Sequence, residues 1–330
     1  MRRHALGGRL ARLTVGAVAV VAAAGAGCGG RNDPAFTDHP APPASEFPPA
    51  RDRTLEQIVR SAEPAEDLVV APTQSVFQVG SNRFGFGVFR VDGAQVPDAR
   101  AAVYAAPHGG GPVRGPFPAR VEDLQTAPAF RSQTVALDPD AAKGLYVADV
   151  MFTRDGSWDV VALIRDGDRL RWALTPTVRV GGSDRIPAAG DPAPKIHTPT
   201  VSSVAGDVSA IDTRAPHDDM HEVDFADVVG RKPVVLLFAT PALCQSRVCG
   251  PVVDEEAEAK SRYGDEVAFI HMEVFNDNNA SDGLRPQLKA FGLRTEPWLF
   301  VIDRNGIVRA RIEGAFGPSE LDAAIQRVLR

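Results

Sequence analysis

Two cysteines five residues apart, Cys244 and Cys249, lie in the stretch "FATPALCQSRVCGP" (238–251). Thiols so close in sequence can be a redox pair, half of a metal site or a fixed crosslink, and each use sets its own geometric demand. In a regular helix, with a rise of ~1.5 Å and ~100° per residue, their Cα atoms would stand about 8–9 Å apart. A disulfide wants roughly 4.4–6.8 Å. Either 241–250 is a loop that lets the sulfurs meet, or it is a helical turn that must unwind on oxidation. Gly250 and Pro251 favour a break there: the residue before a proline is pushed out of helical geometry, and proline suits the first helical position. Cys249 then sits near a helix N-terminus, whose dipole favours thiolate, and Arg247 between the cysteines adds to that.

Other residue types that could do chemistry are weaker. "HDDMH" (217–221) would put His217 and His221 on one helical face and could hold a metal, but a solvated polar loop is the simpler reading. His271 falls inside an apolar strand pattern and reads as a core histidine. His108 lies in a glycine-rich loop and reads as solvated. The Asn/Asp-rich run 275–283 lacks EF-hand spacing. No metal and no cofactor is expected.

The elements that must position the cysteines alternate between strand and helix. "KPVVLLFA" (232–239) is a continuous apolar run, the signature of a central strand. After the cysteines come a helical pattern ("VVDEEAEAKSRYG"), a strand ("EVAFIHMEVF") and a helix ("LRPQLKAFG"). A hairpin turning at 304–306 follows, then a closing helix that reads as capped by Ser319. Residues 65–180 differ: about seven short runs rich in β-branched and aromatic residues, several separated by Asp-Gly turns, predict an all-β immunoglobulin-like sandwich. It reads as a spacer or docking domain without chemistry. A Pro-rich segment (28–64) reads as a tether and 181–194 as a linker, which leaves 195–330 for the cysteine-bearing domain.

Composition narrows the functional class. The chain carries a net charge of −6, and its first 27 residues hold four arginines and no acid. Without them the balance is 32 basic to 42 acidic residues, which gives no sequence-independent reason to bind nucleic acid. Those residues, a basic stretch followed by an apolar run from Leu13 to Gly27, read as a signal peptide. The small residues running into Cys28 resemble a bacterial lipoprotein signal, which implies lipidation of Cys28 and a membrane anchor on the extracytoplasmic face. Gly25 departs from that pattern, where leucine is usual. In such a compartment disulfides persist, and the unlipidated cysteines reduce to Cys244 and Cys249.

The order β-α-β-α-β-β-α over 195–330 resembles the thioredoxin fold. Pro297 in "TEPWLFVID" matches its cis-proline. "GDPAPKI", "ADVVGRKPVVLLFAT" and "FVIDRNGIVRARIEG" look like the extracytoplasmic TlpA/ResA type of thiol-disulfide oxidoreductase. That family carries C-x2-C, whereas the C-x4-C here is similar to the PrxQ peroxiredoxins, although Thr240 is one residue too far from Cys244 for their motif. Sco-type copper chaperones are a third relative, but no histidine follows His271. The resemblance implies Cys244 as nucleophile, Cys249 as resolving thiol and Pro297 beside the substrate. Thr240, Pro241, Glu296 and Trp298 would contact that substrate, and the partners would be protein thiols and disulfides of the cell envelope. The acid that thioredoxins bury in the central strand is replaced near Leu237, so proton transfer falls to Glu296, Asp254 or water. Two other functions remain open: a scaffold with a structural Cys244–Cys249 disulfide, and a hydroperoxide reductase.

Overall fold

The first half of the chain turns its short apolar runs into strands. In the computed structural model, which describes residues 35–182 and 185–330, a helix α1 (Leu55–Val59) precedes nine strands. They are β1 (Glu63–Pro64), β2 (Leu68–Pro72), β3 (Gly80–Arg90), β4 (Arg100–Pro107), β5 (Arg114–Asp123), β6 (Gly144–Phe152), β7 (Gly156–Asp166), β8 (Arg169–Leu174) and β9 (Val178–Val180), with a short helix α2 (Gln133–Leu137) between β5 and β6. The hydrogen-bonded order is β1-β8-β7-β4-β5-β6-β3-β2, with β9 against β7. An immunoglobulin sandwich keeps two separate sheets. Here β5 bonds to β4 through Phe117 and Pro118 and to β6 from Ala119 onward, so the path is continuous. The region is all-β, its two sets of strands joined through β5.

Alternation places Ala101, Val103 and Ala105 of β4 in a core with Phe84, Phe86, Tyr146, Phe152 and Trp158. The opposite face of β4, Ala102, Tyr104 and Ala106, packs against Phe47, Ala50 and Ile58. This corrects the reading of 28–64 as a free tether. From Ala35 onward the segment is laid over the strands: Phe36 and Phe47 are buried, His39 bridges to Val121, and Thr54 closes a capping box with Gln57. Phe36, Phe47, Ala50 and Ile58 anchor it, and a proline-rich chain has less conformational freedom to lose on docking. The signal segment 1–27 and Cys28 lie outside the described residues.

The second half contains helix α3 (Phe225–Val228), β10 (Val234–Phe238), α4 (Cys249–Tyr263), β11 (Ala268–Met272), α5 (Pro286–Ala290), β12 (Trp298–Ile302), β13 (Val308–Glu313) and α6 (Pro318–Leu329). The sheet order is β11-β10-β12-β13; β10 runs parallel to β11 and antiparallel to β12. Every residue of β10 is buried. Val235 and Leu237 face α4 and α6, while Val234, Leu236 and Phe238 face Phe225 and Phe291. Gly317 rather than Ser319 is the cap of α6; Ser319 instead bonds Asp38. The stretch read as a linker is partly pinned to this sheet: Pro192 bridges to Ile307, and Gly190 N–H donates to Val308 O at 2.8 Å.

The two halves share buried polar contacts, and all described residues from Ala35 belong to one compact unit. Arg83 of β3 forks onto Glu320 of α6 at 2.7 and 2.8 Å. Glu122 of β5 accepts from Gly317 N–H at 2.9 Å. Gly314 has φ +81°, and a Cβ there would meet the carbonyl of Thr73 at 2.1 Å, so only glycine allows this approach of the chains.

Candidate functional site

The chain leaves β10 at Ala239, turns through residues 240–248 and enters α4 at Cys249. Arg247 takes the left-handed conformation (φ 58°), which reverses the chain without a helical turn. Of the two geometries open to the cysteines, the loop is the one adopted. Cys244 and Cys249 are disulfide-bonded with Cα atoms 5.9 Å apart, a separation a regular helix could not supply. Pro251 is the third helical residue rather than the first. It is tolerated there because the first-turn N–H groups have no intrahelical acceptor to lose.

The two sulfurs are not equivalent. Cys249 is fully buried, while Cys244 is half-buried. The Cys249 N–H points at Cys244 Sγ (3.3 Å), and Ser246 Oγ lies 3.3 Å from the same sulfur. A helix N-terminus and a hydroxyl thus surround the exposed sulfur, the arrangement that stabilises a thiolate. Arg247 does not add to it in the way its position suggests: its guanidinium is paired with Asp140 and Asp138 of the β region.

That pairing belongs to a feature the sequence did not reveal. Residues 124–143, between β5 and β6, cross over the start of α4. Leu124 joins the core that holds Cys249, Ala142 N–H donates to Arg247 O at 3.1 Å, and Ser132 donates to buried Asp254 from both N–H (2.8 Å) and Oγ (3.0 Å). A Cβ at Gly250 would come within 2.8 Å of Val135. Beside this crossing a cavity of about 450 Å³ opens between Ser246, Arg247 and Val248 on one side and Pro72, Gly87 and Phe89 on the other.

On the opposite side of the disulfide the Glu296–Pro297 peptide is cis. It brings a Glu296 carboxylate oxygen within 4.8 Å of both sulfurs. The carboxylate accepts from Thr240 N–H at 2.7 Å, and burial, helped by the negative charge of Glu273, raises its pKa to about 7. Asp254, the other acid considered for proton transfer, is engaged elsewhere: Arg214 bonds it at 2.9 Å, in the buried contact with Ser132.

The remaining sequence-assigned residues hold the site from beneath. Thr240 is fully buried and its hydroxyl accepts from Val274 N–H; Pro241 is buried; Trp298 is 2 % exposed, stacked on Phe300 and bonded to Thr295. Of these three, Trp298 also lines a cavity of about 730 Å³ beside β13 and α6. Pro297 has no N–H, and its carbonyl already accepts from Gly314. The "HDDMH" segment is a loop rather than a helix, and it is solvated only at His217 and Asp219. It turns inward, His221 is 2 % exposed, and His271 of β11 links to it through Asp218 (2.8 Å) and to the mouth of the disulfide loop through Ala239 O (2.9 Å).

Strand order, a helix opening on the second cysteine and a cis-proline facing the pair all agree. The C-terminal region is thioredoxin-like in fold. No family model and no curated protein matches the chain. Among solved structures it is similar to two thiol:disulfide interchange proteins from Chlorobium tepidum. One, described as a DsbE, is 18 % identical, with 43 % of this chain and 96 % of that one aligned at a TM-score of 0.30. The other, of the thioredoxin family, is 17 % identical over 43 % of this chain and 99 % of that one, at 0.31. These likenesses are too distant to carry an activity; the chemistry rests on the residues above.

Proposed function

We propose that the protein is a membrane-anchored, extracytoplasmic thiol-disulfide exchange protein acting on protein thiols and disulfides of the cell envelope. The observation that carries this reading is the asymmetry of the pair: a half-buried Cys244 at a helix N-terminus, a buried Cys249, and one carboxylate within 4.8 Å of both. In the reducing direction, Cys244 thiolate attacks a substrate disulfide, forms a mixed disulfide and releases the first substrate thiolate. Cys249 gives its proton to Glu296 and attacks Cys244 Sγ, releasing the second substrate thiolate and restoring the Cys244–Cys249 bond. The substrate gains the two electrons that the protein loses. The reverse sequence oxidises a dithiol. A carboxyl with a pKa of about 7 suits this role because it holds and yields a proton near neutral pH. Substrate backbone would align beside Glu296 and Pro297, where the proline has no N–H to donate. The anchor would be a lipid on Cys28 after removal of residues 1–27.

A second reading draws on the crossing segment: Val135 against Gly250 and the Arg247–Asp140 pair also suit a disulfide that fixes the loop within a binding scaffold. A Cys249→Ser variant separates the two. Under the exchange reading it accumulates mixed disulfides with envelope proteins through Cys244, visible on non-reducing gels and absent when Cys244 is also replaced. A trap that stays empty favours the scaffold. Mass spectrometry of the mature N-terminus tests the anchor, which predicts a diacylglyceryl-modified Cys28.

A further inference from the structure

Behind the disulfide loop lies a second cluster that the exchange chemistry does not use. Asp212, Asp218, His221 and His271 each offer one ligand atom, and these atoms all lie within 4.8 Å of one another. We propose that these four side chains form a binding site for a divalent transition-metal ion, of the Zn2+ class, that clamps the 212–221 segment onto β11.

The cluster is more than a group of buried acids. His221 is 2 % exposed, and its Nε2 has no hydrogen-bond partner among the described residues. That nitrogen is aimed between two carboxylates, 3.5 Å from Asp218 Oδ1 and 3.9 Å from Asp212 Oδ2, too far for hydrogen bonds. His271 Nδ1 faces the same carboxylates at 2.8 Å from Asp218 Oδ2 and 4.0 Å from Asp212 Oδ1. Ligand atoms around a tetrahedral Zn2+ with bonds near 2.0 Å stand about 3.3 Å apart, in the middle of these spacings. The two imidazole rings, tilted 47° with centroids 5.1 Å apart, converge without stacking.

The surroundings fit the same use. His271 Nε2 lies 2.9 Å from Ala239 O, a bond that fixes Nδ1 as the free ligand nitrogen when the ring is neutral. Backbone N–H groups of Arg214 and Asp218 hold Asp212, and that of Met220 holds Asp218. Each carboxylate oxygen keeps a further lone pair. Two imidazoles and two carboxylates with four protein ligands suit a structural Zn2+ better than Mg2+ or Ca2+, which prefer oxygen sets. Binding displaces to solvent the proton shared by His271 Nδ1 and Asp218. Exposed His217, whose Nδ1 is 3.4 Å from Asp212 Oδ2, marks the solvent side.

The test uses the chain with its disulfide intact, so that the Cys244, Cys249 and Glu296 group cannot supply thiolate ligands. One equivalent of Zn2+ should bind saturably, and Co2+ in its place should give intense tetrahedral d–d bands without a thiolate charge-transfer band. His221→Gln should weaken Zn2+ binding at least tenfold, since loss of even an outer-shell partner costs about 10–100-fold, while His217→Gln should retain the site. Absence of saturable binding, an octahedral Co2+ spectrum, or binding undiminished in a folded His221→Gln would each overturn the proposal. The Co2+ spectrum of the unsubstituted chain decides the question even if the variant does not fold. None of these readouts depends on thiol-disulfide exchange.

Discussion

Both halves of this protein bury rings, but buried charges are concentrated in one of them. The β region fills its interior with rings, Phe77, Phe84, Phe86, Tyr146, Phe152 and Trp158, several in direct contact at centroid distances of 5.2 to 5.6 Å. The thioredoxin-like half buries Asp212, Arg214, His221, Asp254, Glu255, Glu256, His271 and Glu273. The buried polar groups of the β region that reach across, Glu122 and Ser132, bond to the other half. Rings ask only for volume and can be exchanged within limits, whereas a buried charge demands a partner in a particular place. On the proposed exchange function, the β region is the scaffold and the half rich in buried charge holds the chemistry.

That contrast can be broken at several points. Cys244→Ser should abolish exchange with a protein disulfide altogether, measured by turnover of a fluorescent substrate, with the fold intact. Trp158→Ala should cost about 3–5 kcal/mol in urea unfolding yet leave exchange by the folded protein unchanged; a parallel loss of exchange would make the β core part of the site. Arg83→Ala removes the fork onto Glu320 and leaves Arg120 as the cation beside Glu320 and Glu122; it should cost about 1.5–3 kcal/mol, while loosening the contact between halves. Glu296→Gln should slow the resolving step about 100-fold and erase a rate inflection near pH 7, read by stopped-flow decay of the mixed disulfide. Glu255 gives the smallest effect. Burial, then repulsion from Glu258, raises its pKa from 4.5 to about 8. The folded state therefore keeps a proton that the unfolded state releases, so its contribution to stability is fully present below pH 4.5 and is lost as pH rises to 8. Glu255→Gln should flatten that slope and gain about 1–2 kcal/mol above pH 8, seen in pH-dependent unfolding.

What was legible in the sequence follows the same division. The apolar run of β10, the turn at Asn305 and Gly306, and the position of Pro297 are local signals, and they mark the thioredoxin-like half correctly. Cys244 and Cys249 announce themselves by type and spacing. What was missed is non-local. Residues 124–143 read as one more stretch of an all-β region, yet they cover the start of α4, because nothing in their periodicity names the surface they bury. The Pro-rich segment looked unstructured by composition, but Phe36, Phe47, Ala50 and Ile58 anchor it. The pattern of "HDDMH" suggests a shared helical face for its two histidines, whereas His221 lies against His271, fifty residues away on a strand, and His217 pairs with Asp212.

The reduction potential of the Cys244–Cys249 pair tests the central claim most directly. Equilibration against glutathione or dithiothreitol, followed by thiol labelling, should place it between about −270 and −120 mV, the range of disulfide-exchange proteins. A value below about −300 mV would mark a permanent structural crosslink and contradict the exchange function.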